Sequence, residues 1–543
     1  FLVQIHCIPS IPAMRYPSQP KPYAETHFVI RPLPLSRYHR RCPEIIADAP
    51  RRVEPGHNIP ILIIVKDAHR YPITLQSVTV QWHHLAQSPV EFPINQYINT
   101  PFWSRILTIP TDSLPKKLLT FDVVIRATRN RKDLTIRNNN YVGLPHTPIS
   151  VFLSEYPFPK LPGWAVGDLH VHTNYTSDQV EFGAPVADTA LIAQTQGHDF
   201  FAATDHSYNL DDTWGNPLKN DPNFPKYKAL MDEIDRWNRE NGNDFAVLPG
   251  EEVSAGNHRN RNVHLLVIGP GQFIPGKGDS AEVWLPQRPD LTVNQITASL
   301  DNNRVALAAH PEDIFPTSHK LFLRRGDWEQ GDFQTANLSG IQLIRGDNST
   351  PFQKGIALWV KLLLQGLKMT LTAGSDAHGD FNRYLLMGTP MISLKQRPRP
   401  VFGEVLTLIP KSDLFGASSI ISHIRQGKTG ITTGPAITLD FLANDGNSYS
   451  PGQTCPQNHG TAVLQALSSP EFGPITNAML WTGNQTLQAE ELLWSCHNGQ
   501  ENMHLEQQIQ VTKDRNWKYL RAEIQTEGEM GVGRALTGAI YFQ

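Results

Sequence analysis

Imidazoles and carboxylates recur through the middle of the 543-residue chain at spacings that suit a metal centre. Asp168-Leu169-His170-Val171-His172 closes one short apolar run, Thr204-Asp205-His206 a second and Gly250-Glu251-Glu252 a third. His264 lies within a fourth run, His310-Pro311 closes a fifth, and Ser375-Asp376-Ala377-His378 follows a seventh. Residues two apart on an extended segment point to one face, so the His170 and His172 rings lie side by side. Asp376 and His378 repeat that spacing. Imidazole plus carboxylate, with no thiolate, suits Zn²⁺, Mn²⁺ or Fe²⁺. Glu252 has two oxygens with which to bridge two ions, whereas Glu251 faces the other side of its strand. Asp168 and Asp205 stand beside ligand histidines, where they either orient the rings or coordinate directly. One histidine at a strand end is usually an ordinary surface residue, but six strands delivering such side chains at one end need another explanation. His198, His423, His459, His497 and His504 lack that context and read as ordinary residues.

Something must bring these residues together. Between 161 and 436, short apolar runs alternate with helical patterns, which predicts an α/β domain. The runs are 165–169, 200–204, 245–248, 263–268, 305–309, 341–344 and 369–373. The helical patterns are 186–196, 227–240, 294–302, 352–364 and 418–426. Seven parallel strands form an open sheet or a barrel, and periodicity does not choose between them. In either case ligands sit at the C-terminal strand ends. On both sides the texture changes to short strands broken by Pro, Gly and Asn, predicting β-sandwich-like domains at 43–160 and 437–543. Residues 1–42, rich in proline, read as an extended arm.

Composition narrows the function. Lys and Arg total 48 against 51 Asp and Glu, a net charge of −3. That balance excludes nucleic-acid binding through bulk positive charge and a polybasic membrane anchor. No apolar run reaches the ~18 residues of a membrane span. Localisation stays open between a cytoplasmic and a periplasmic or secreted soluble protein. Cys7, Cys42, Cys455 and Cys496 include no C-x-x-C pair. Cys7 with Cys42, or Cys455 with Cys496, could pair in an oxidising compartment, and free thiols are equally acceptable.

Taken in order, Asp168-Leu169-His170-Val171-His172-Thr173 with Ser177-Asp178, Thr204-Asp205-His206, Pro249-Gly250-Glu251-Glu252, His264, His310-Pro311 and Ser375-Asp376-Ala377-His378 resemble the successive motifs of the polymerase-and-histidinol-phosphatase (PHP) family. The resemblance covers 164–436. It implies a distorted seven-stranded (β/α) barrel, here between two β-sandwich-like domains, with two or three divalent ions at its C-terminal rim. Carried across by residue, one ion would take His170, His172, Glu252 and Asp376. A second would share Glu252 and add His264 and His310. A third would take Asp178, His206 and His378. The segment 427–435 leading into a β domain, and the extension of the last motif to Arg383, resemble the carbaryl-hydrolase-like branch, which includes ester and carbamate hydrolases.

The expected chemistry is hydrolysis by a metal-activated water. No Gly-x-Ser-x-Gly elbow or phosphate loop points elsewhere. Arg345 and Arg383 are candidates to clamp a phosphate or carboxylate, and His258 to protonate the leaving group. The segments 207–225, with Trp214, and 271–290 are candidate pocket walls. Three functions are expected in order: a phosphoesterase acting on a small phosphate ester, an amide, ester or carbamate hydrolase on the same ions, and a non-catalytic metal-binding accessory protein. Oligomeric state is not readable.

Overall fold

The structure is a computed structural model that describes residues 42–140, 146–176, 182–214, 216–242, 244–276, 288–313, 320, 324–344, 350–379, 381–382, 387–388, 393–394, 401–457, 459–497, 502–512 and 516–543. The expected arm, apart from Cys42, lies outside these residues, as do Cys7, Asp178, Arg345 and Arg383.

Two strand patterns build the N-terminal part. Ile73–His83 alternates, with Leu75, Val78 and Val80 inward, and pairs with Leu118–Arg129 and Val90–Ile98 in a six-stranded sheet. Ile59–Lys66 is buried along its whole length. It is the middle strand of a three-stranded antiparallel sheet with Glu44–Asp48 and Phe102–Ile109. A strand covered on both faces reads as a continuous apolar run. Here Ile61, Ile63 and Val65 join the sandwich core, while Leu62 and Ile64 pack with Val171, Tyr175 and Phe182 beside the candidate site.

Each of the seven central runs falls in a strand: Trp164–His172, Phe200–Ala203, Ala246–Gly256, Asn262–Ile268, Val305–Ala309, Leu338–Leu343 and Thr370–Ala373. The first three pair in parallel, as do the last three. The fourth is antiparallel to both its neighbours. Only residues 257–261 separate the third strand from the fourth. That is too short for the crossover a parallel pair needs, so a hairpin forms. Helices Val186–Thr195, Pro225–Asn241, Val293–Ser299, Thr350–Leu364 and Ala417–Arg425 flank the strands.

The expected seven-stranded (β/α) barrel is not the architecture found. The protein is mostly β, and among the described residues these strands belong to one sixteen-stranded sheet. The first strand spends its other edge on Leu406–Pro410, paired antiparallel. The ladder then continues through Gly430–Thr432 to Gly531–Thr537 and the C-terminal strands. With that edge used, Thr370–Ala373 forms no ladder with the first strand. Side chains stitch the seam instead. Thr407 Oγ1 accepts from Ala373 N–H at 2.8 Å and donates to Ala373 O at 2.9 Å, while Asp168 accepts from Ser375 N–H at 2.9 Å. Beyond the seam, Ala377–His378 runs parallel to Val171–His172.

In the C-terminal part, Ala436–Ala443, His459–Leu467, His504–Thr512 and Ser448–Tyr449 form a separate four-stranded sheet. Its inner face (Ile437, Leu439, Phe441, Leu464) packs on Leu480 and Ile524 of the large sheet. No disulfide joins Cys455 and Cys496.

Candidate metal centre

The site forms where the first, second, third and fourth strands meet the chain leaving the fifth and the seventh. His170 and His172 project from one face of the first strand, their Nε2 atoms 3.2 Å apart. Asp376 Oδ1 lies 3.3 Å from His170 Nε2 and 3.0 Å from His172 Nε2. In the hairpin, Ser254 lies opposite His264, which puts His264 and Glu252 diagonally on one face. The buried Glu252 carboxylate is ringed by His264 at 2.5 Å, His206 at 2.9 Å, His310 at 3.2 Å, His172 at 3.4 Å and His170 at 3.5 Å. His378 stacks on His172 with ring centroids 3.9 Å apart. Tyr208 stacks on His206 at 4.5 Å.

The local backbone is bent to make this possible. His310 and Asp376 both take left-handed conformations, φ 29° and 55°. Non-glycine residues rarely do so outside sites that need a side chain re-aimed. Gly374 is needed for another reason: a Cβ there would lie 2.6 Å from His170 N.

Three sets of ligand atoms converge, each within 4.8 Å: His170, His172, Glu252 and Asp376; His206, Glu252 and His264; and His172, His206 and His378. The first contains the four residues expected around one ion. The second has His206 where His310 was expected, although His310 also reaches Glu252. The third brings in His172, Asp178 being outside the described residues.

Hydrogen bonds fix which ring nitrogens carry lone pairs into the cluster. Gln342 Nε2 donates to Leu343 O at 2.9 Å and Gly374 O at 2.8 Å. Its Oε1 therefore faces the histidines as an acceptor, 3.0 Å from His310 N and 3.3 Å from His170 Nδ1. His170 thus carries its hydrogen on Nδ1 and presents a lone pair at Nε2. His378 Nδ1 donates to Asp376 O at 3.2 Å, leaving Nε2 in the same state. Ring nitrogens that face one another and a shared carboxylate oxygen are acceptors without enough protons between them. That donor set fits divalent ions.

The electrostatics keep both carboxylates ionised. Burial alone would raise Glu252, but His264, His170 and His206 hold its carboxyl well below the usual range. Burial likewise opposes ionisation of Asp376, and His170 and His172 outweigh it. Burial disfavours a charged His170, yet Glu252 and Asp376 raise it above the ordinary value. His172 goes the other way, lowered by burial and by the neighbouring His378 and His206.

Asp205 does not orient a ring: its oxygens accept from Thr173 N, Thr176 N and Thr173 Oγ1 at 2.7–2.8 Å, fixing the turn after His172. Asp168 accepts from the backbone of His170, Ser375 and Gly403, and burial lifts its pKa to about 6. His258 is exposed at the hairpin tip, its N–H donating to Asp332, and is not drawn into the cluster. Glu252 lies within the strand Ala246–Gly256, and His258 lies beyond its end, in the turn. Glu251 points away, as expected, accepting from Ser207 Oγ and Ile274 N–H, with a pKa raised to about 8 by burial. Trp214 is exposed and rests near Tyr175, ring centroids 5.9 Å apart.

Gln342 and Arg325 were not anticipated. Gln342 left one signal: it is a lone amide in the buried run Leu338–Leu343, and a buried polar group needs partners. Arg325, buried against His264, left none.

No family model matches the chain, and no curated protein matches it. Solved structures do. One is a glycosyl hydrolase family 2 member from Bacteroides cellulosilyticus DSM 14838, at 10% identity and a TM-score of 0.18, over 92% of this chain and 62% of that one. Another is a β-glucuronidase from Parabacteroides merdae, at 8% identity and a TM-score of 0.18, over 92% and 64%. The chain spans less than two thirds of the length of either. At these TM-scores the likeness carries neither fold nor activity across. The findings nevertheless correct the PHP resemblance. No model of that family matches, and the sheet is not that barrel. The carbaryl-hydrolase-like branch and the phosphoesterase assignment fall with it. Among the described residues no helix is long and apolar enough to cross a membrane.

Proposed function

We propose that this chain is a hydrolase acting on a small molecule through two or three divalent ions held by His170, His172, His206, Glu252, His264, His310, Asp376 and His378. The observation that carries the reading is Glu252, a buried carboxylate with five imidazoles within 3.5 Å. When bound, divalent ions in such a site bring the pKa of water toward neutrality and polarise the bond to be cut.

The chain's own residues do the rest. Glu252 and Asp376 stay ionised at neutral pH because imidazoles surround them. Gln342 and the Asp376 carbonyl hold the Nδ1 hydrogens of His170 and His378, so both rings offer Nε2. Burial of His170, His172, His206 and Glu252 keeps bulk water away. A glycosidase that uses a carboxyl pair needs one carboxyl group kept protonated as the acid. The imidazoles depress both carboxyl groups here, which favours water attack over that route.

The test is to load the protein with Mn²⁺ or Zn²⁺, count ions by elemental analysis, and assay an aryl carbamate, an aryl carboxylic ester, an aryl phosphate and an aryl glucuronide. Two or three retained ions per chain, with turnover lost on chelation and regained on reloading, are expected. A chain that retains no ions, or one whose turnover is indifferent to a chelator, would overturn the reading.

A further inference from the structure

We propose that Thr176 is a positioning residue of this centre, its hydroxyl holding the Nδ1 edge of His172 in either ring tautomer so that Nε2 stays aimed at Glu252 and Asp376. The inference rests on the metal-dependent reading above and gives a role to a residue outside the expected ligands.

Thr176 is fully buried. Its Oγ1 lies 3.2 Å from His172 Nδ1 and accepts from His206 N–H at 3.3 Å. At the other edge of the ring, His172 Nε2 faces Asp376 Oδ1 at 3.0 Å, His170 Nε2 at 3.2 Å and Glu252 Oε2 at 3.4 Å. A neutral imidazole carries one hydrogen, on one nitrogen or the other, whereas a hydroxyl has one hydrogen and two lone pairs. His206 N–H takes one of those lone pairs. The other accepts a hydrogen from Nδ1, which leaves the Nε2 lone pair for an ion. With the ring hydrogen on Nε2 against Asp376, the hydroxyl donates to Nδ1 instead. The bond survives both arrangements. Gln342 is different, because its Oε1 only accepts and so fixes His170 in one form. His172 belongs to two of the three converging sets of ligand atoms. Thr176 holds its ring in place without fixing its tautomer, so taking up an ion requires no re-aiming.

The placement is reciprocal. Asp205 Oδ1 accepts from Thr176 N–H at 2.7 Å, and Thr176 Oγ1 accepts from the N–H of His206, the residue after Asp205. The chain leaving the first strand and the chain leaving the second are thus tied by each other's side chains. Glu252 N–H donates to Asp205 O at 3.0 Å and joins the third strand to the pair. On the far side of the turn, Gly183 N–H donates to Thr173 O at 3.0 Å. A Cβ on Gly183 would lie 1.9 Å from His172 O, so glycine is what lets the chain return this close to the ligand strand. Loss of the Thr176 hydroxyl would leave both His172 Nδ1 and His206 N–H without this partner inside the protein, where an unmet polar group is costly.

The experiment compares wild type, Thr176→Val and Thr176→Ser. Valine keeps the branched shape without the hydroxyl, and serine keeps the hydroxyl without the methyl group. Zn²⁺ affinity is measured by competition with a chromogenic chelator, and ion content by elemental analysis. Thr176→Val is expected to bind Zn²⁺ roughly 10–100-fold more weakly than wild type, and Thr176→Ser to regain most of that loss. Wild-type affinity in Thr176→Val overturns the inference. So does a Thr176→Ser protein as weak as Thr176→Val, which would assign the loss to packing of the methyl group. A crystal structure of Zn²⁺-loaded wild type decides the point without a variant, should Thr176→Val fail to fold. His172 is expected to coordinate through Nε2 with Nδ1 within hydrogen-bond distance of Thr176 Oγ1, and coordination through Nδ1 overturns the inference. If wild type keeps its ions but turns over no substrate, the hydrolase reading fails, and these affinities still decide the role of Thr176. If wild type retains no ions, both fall.

Discussion

The Glu252 cluster of the central sheet and the Arg521 cluster of the C-terminal strands are both buried and both charged. In the second, Arg521 grips Glu490 with two bonds of 2.6 and 2.7 Å and reaches Glu523 at 3.2 Å, and Arg534 closes on the other oxygen of Glu523. Arg521 also lies over the Trp481 ring, 5.6 Å from its centroid. Two cations meet two carboxylates, and donors meet acceptors. In the first, six imidazoles crowd two carboxylates, ring nitrogens face each other at 3.2 Å, and His172 is pushed toward neutrality by burial and by its neighbouring histidines. The contrast separates two uses of buried charge. A cluster whose donors and acceptors match needs nothing more, and serves to join strands. A cluster whose atoms are mostly acceptors aimed at common points is complete only with cations, which is the reading proposed for it.

One pair of variants is designed to break that distinction. Glu252→Gln should abolish ion retention and metal-dependent turnover, with a loss exceeding the ~100-fold typical of residues that merely support metal ligands. Glu523→Gln should do the reverse: ions and turnover stay, while stability falls by ~3–5 kcal/mol because Arg521 and Arg534 lose a shared buried partner. Elemental analysis and denaturant melts on both proteins check this. If Glu252→Gln kept its ions, or Glu523→Gln lost them, the two clusters would not differ in kind.

A smaller effect tests how the rings are held. Gln342→Leu removes the acceptor for His170 Nδ1 and His310 N while leaving every expected ligand in place. Ion affinity should drop roughly 10–100-fold, measured by competition with a chromogenic chelator. An unchanged affinity would mean that the packing of the strands alone orients His170.

What the sequence disclosed follows from these roles. The i, i+2 pair His170/His172 was legible because strand geometry alone puts both side chains on one face, whereas Asp376 reaches the site from a left-handed turn ahead of Ala377–His378. Glu252 was separated from Glu251 by the same alternation. Asp205 misled because an acid beside a histidine suggests a ring partner, whereas its oxygens cap the Thr173–Thr176 turn. Gln342 reaches His170 and His310 because of where the sixth strand lands, which no local spacing records. The barrel expectation failed at an edge. Nothing in the run 165–169 shows that its outer side will be taken by Leu406–Pro410, more than two hundred residues later.

His198 sharpens the comparison among imidazoles. It lies 5% exposed near Phe158 and Phe402, ring centroids 6.2 and 5.4 Å away, and among the described residues no carboxylate pairs with its ring. Burial, with help from Lys160, Arg52 and Arg51, lowers its pKa to about 3. The folded value lies below the unfolded ~6.5. Its contribution to stability is therefore fully present above pH 6.5 and is lost as pH falls from there toward 3. Between pH 6.5 and 5.5 the loss from this one group is ~1 kcal/mol. His198→Gln should have a correspondingly flatter acid limb in urea melts of the metal-loaded protein, with ion content equal to wild type. The cluster histidines, tied to carboxylates and proposed ions, would still drive the rest of the acid response. Equal slopes for variant and wild type over that unit of pH would show that His198 is charged in the folded state, and that imidazoles away from the carboxylates are no different from those beside them.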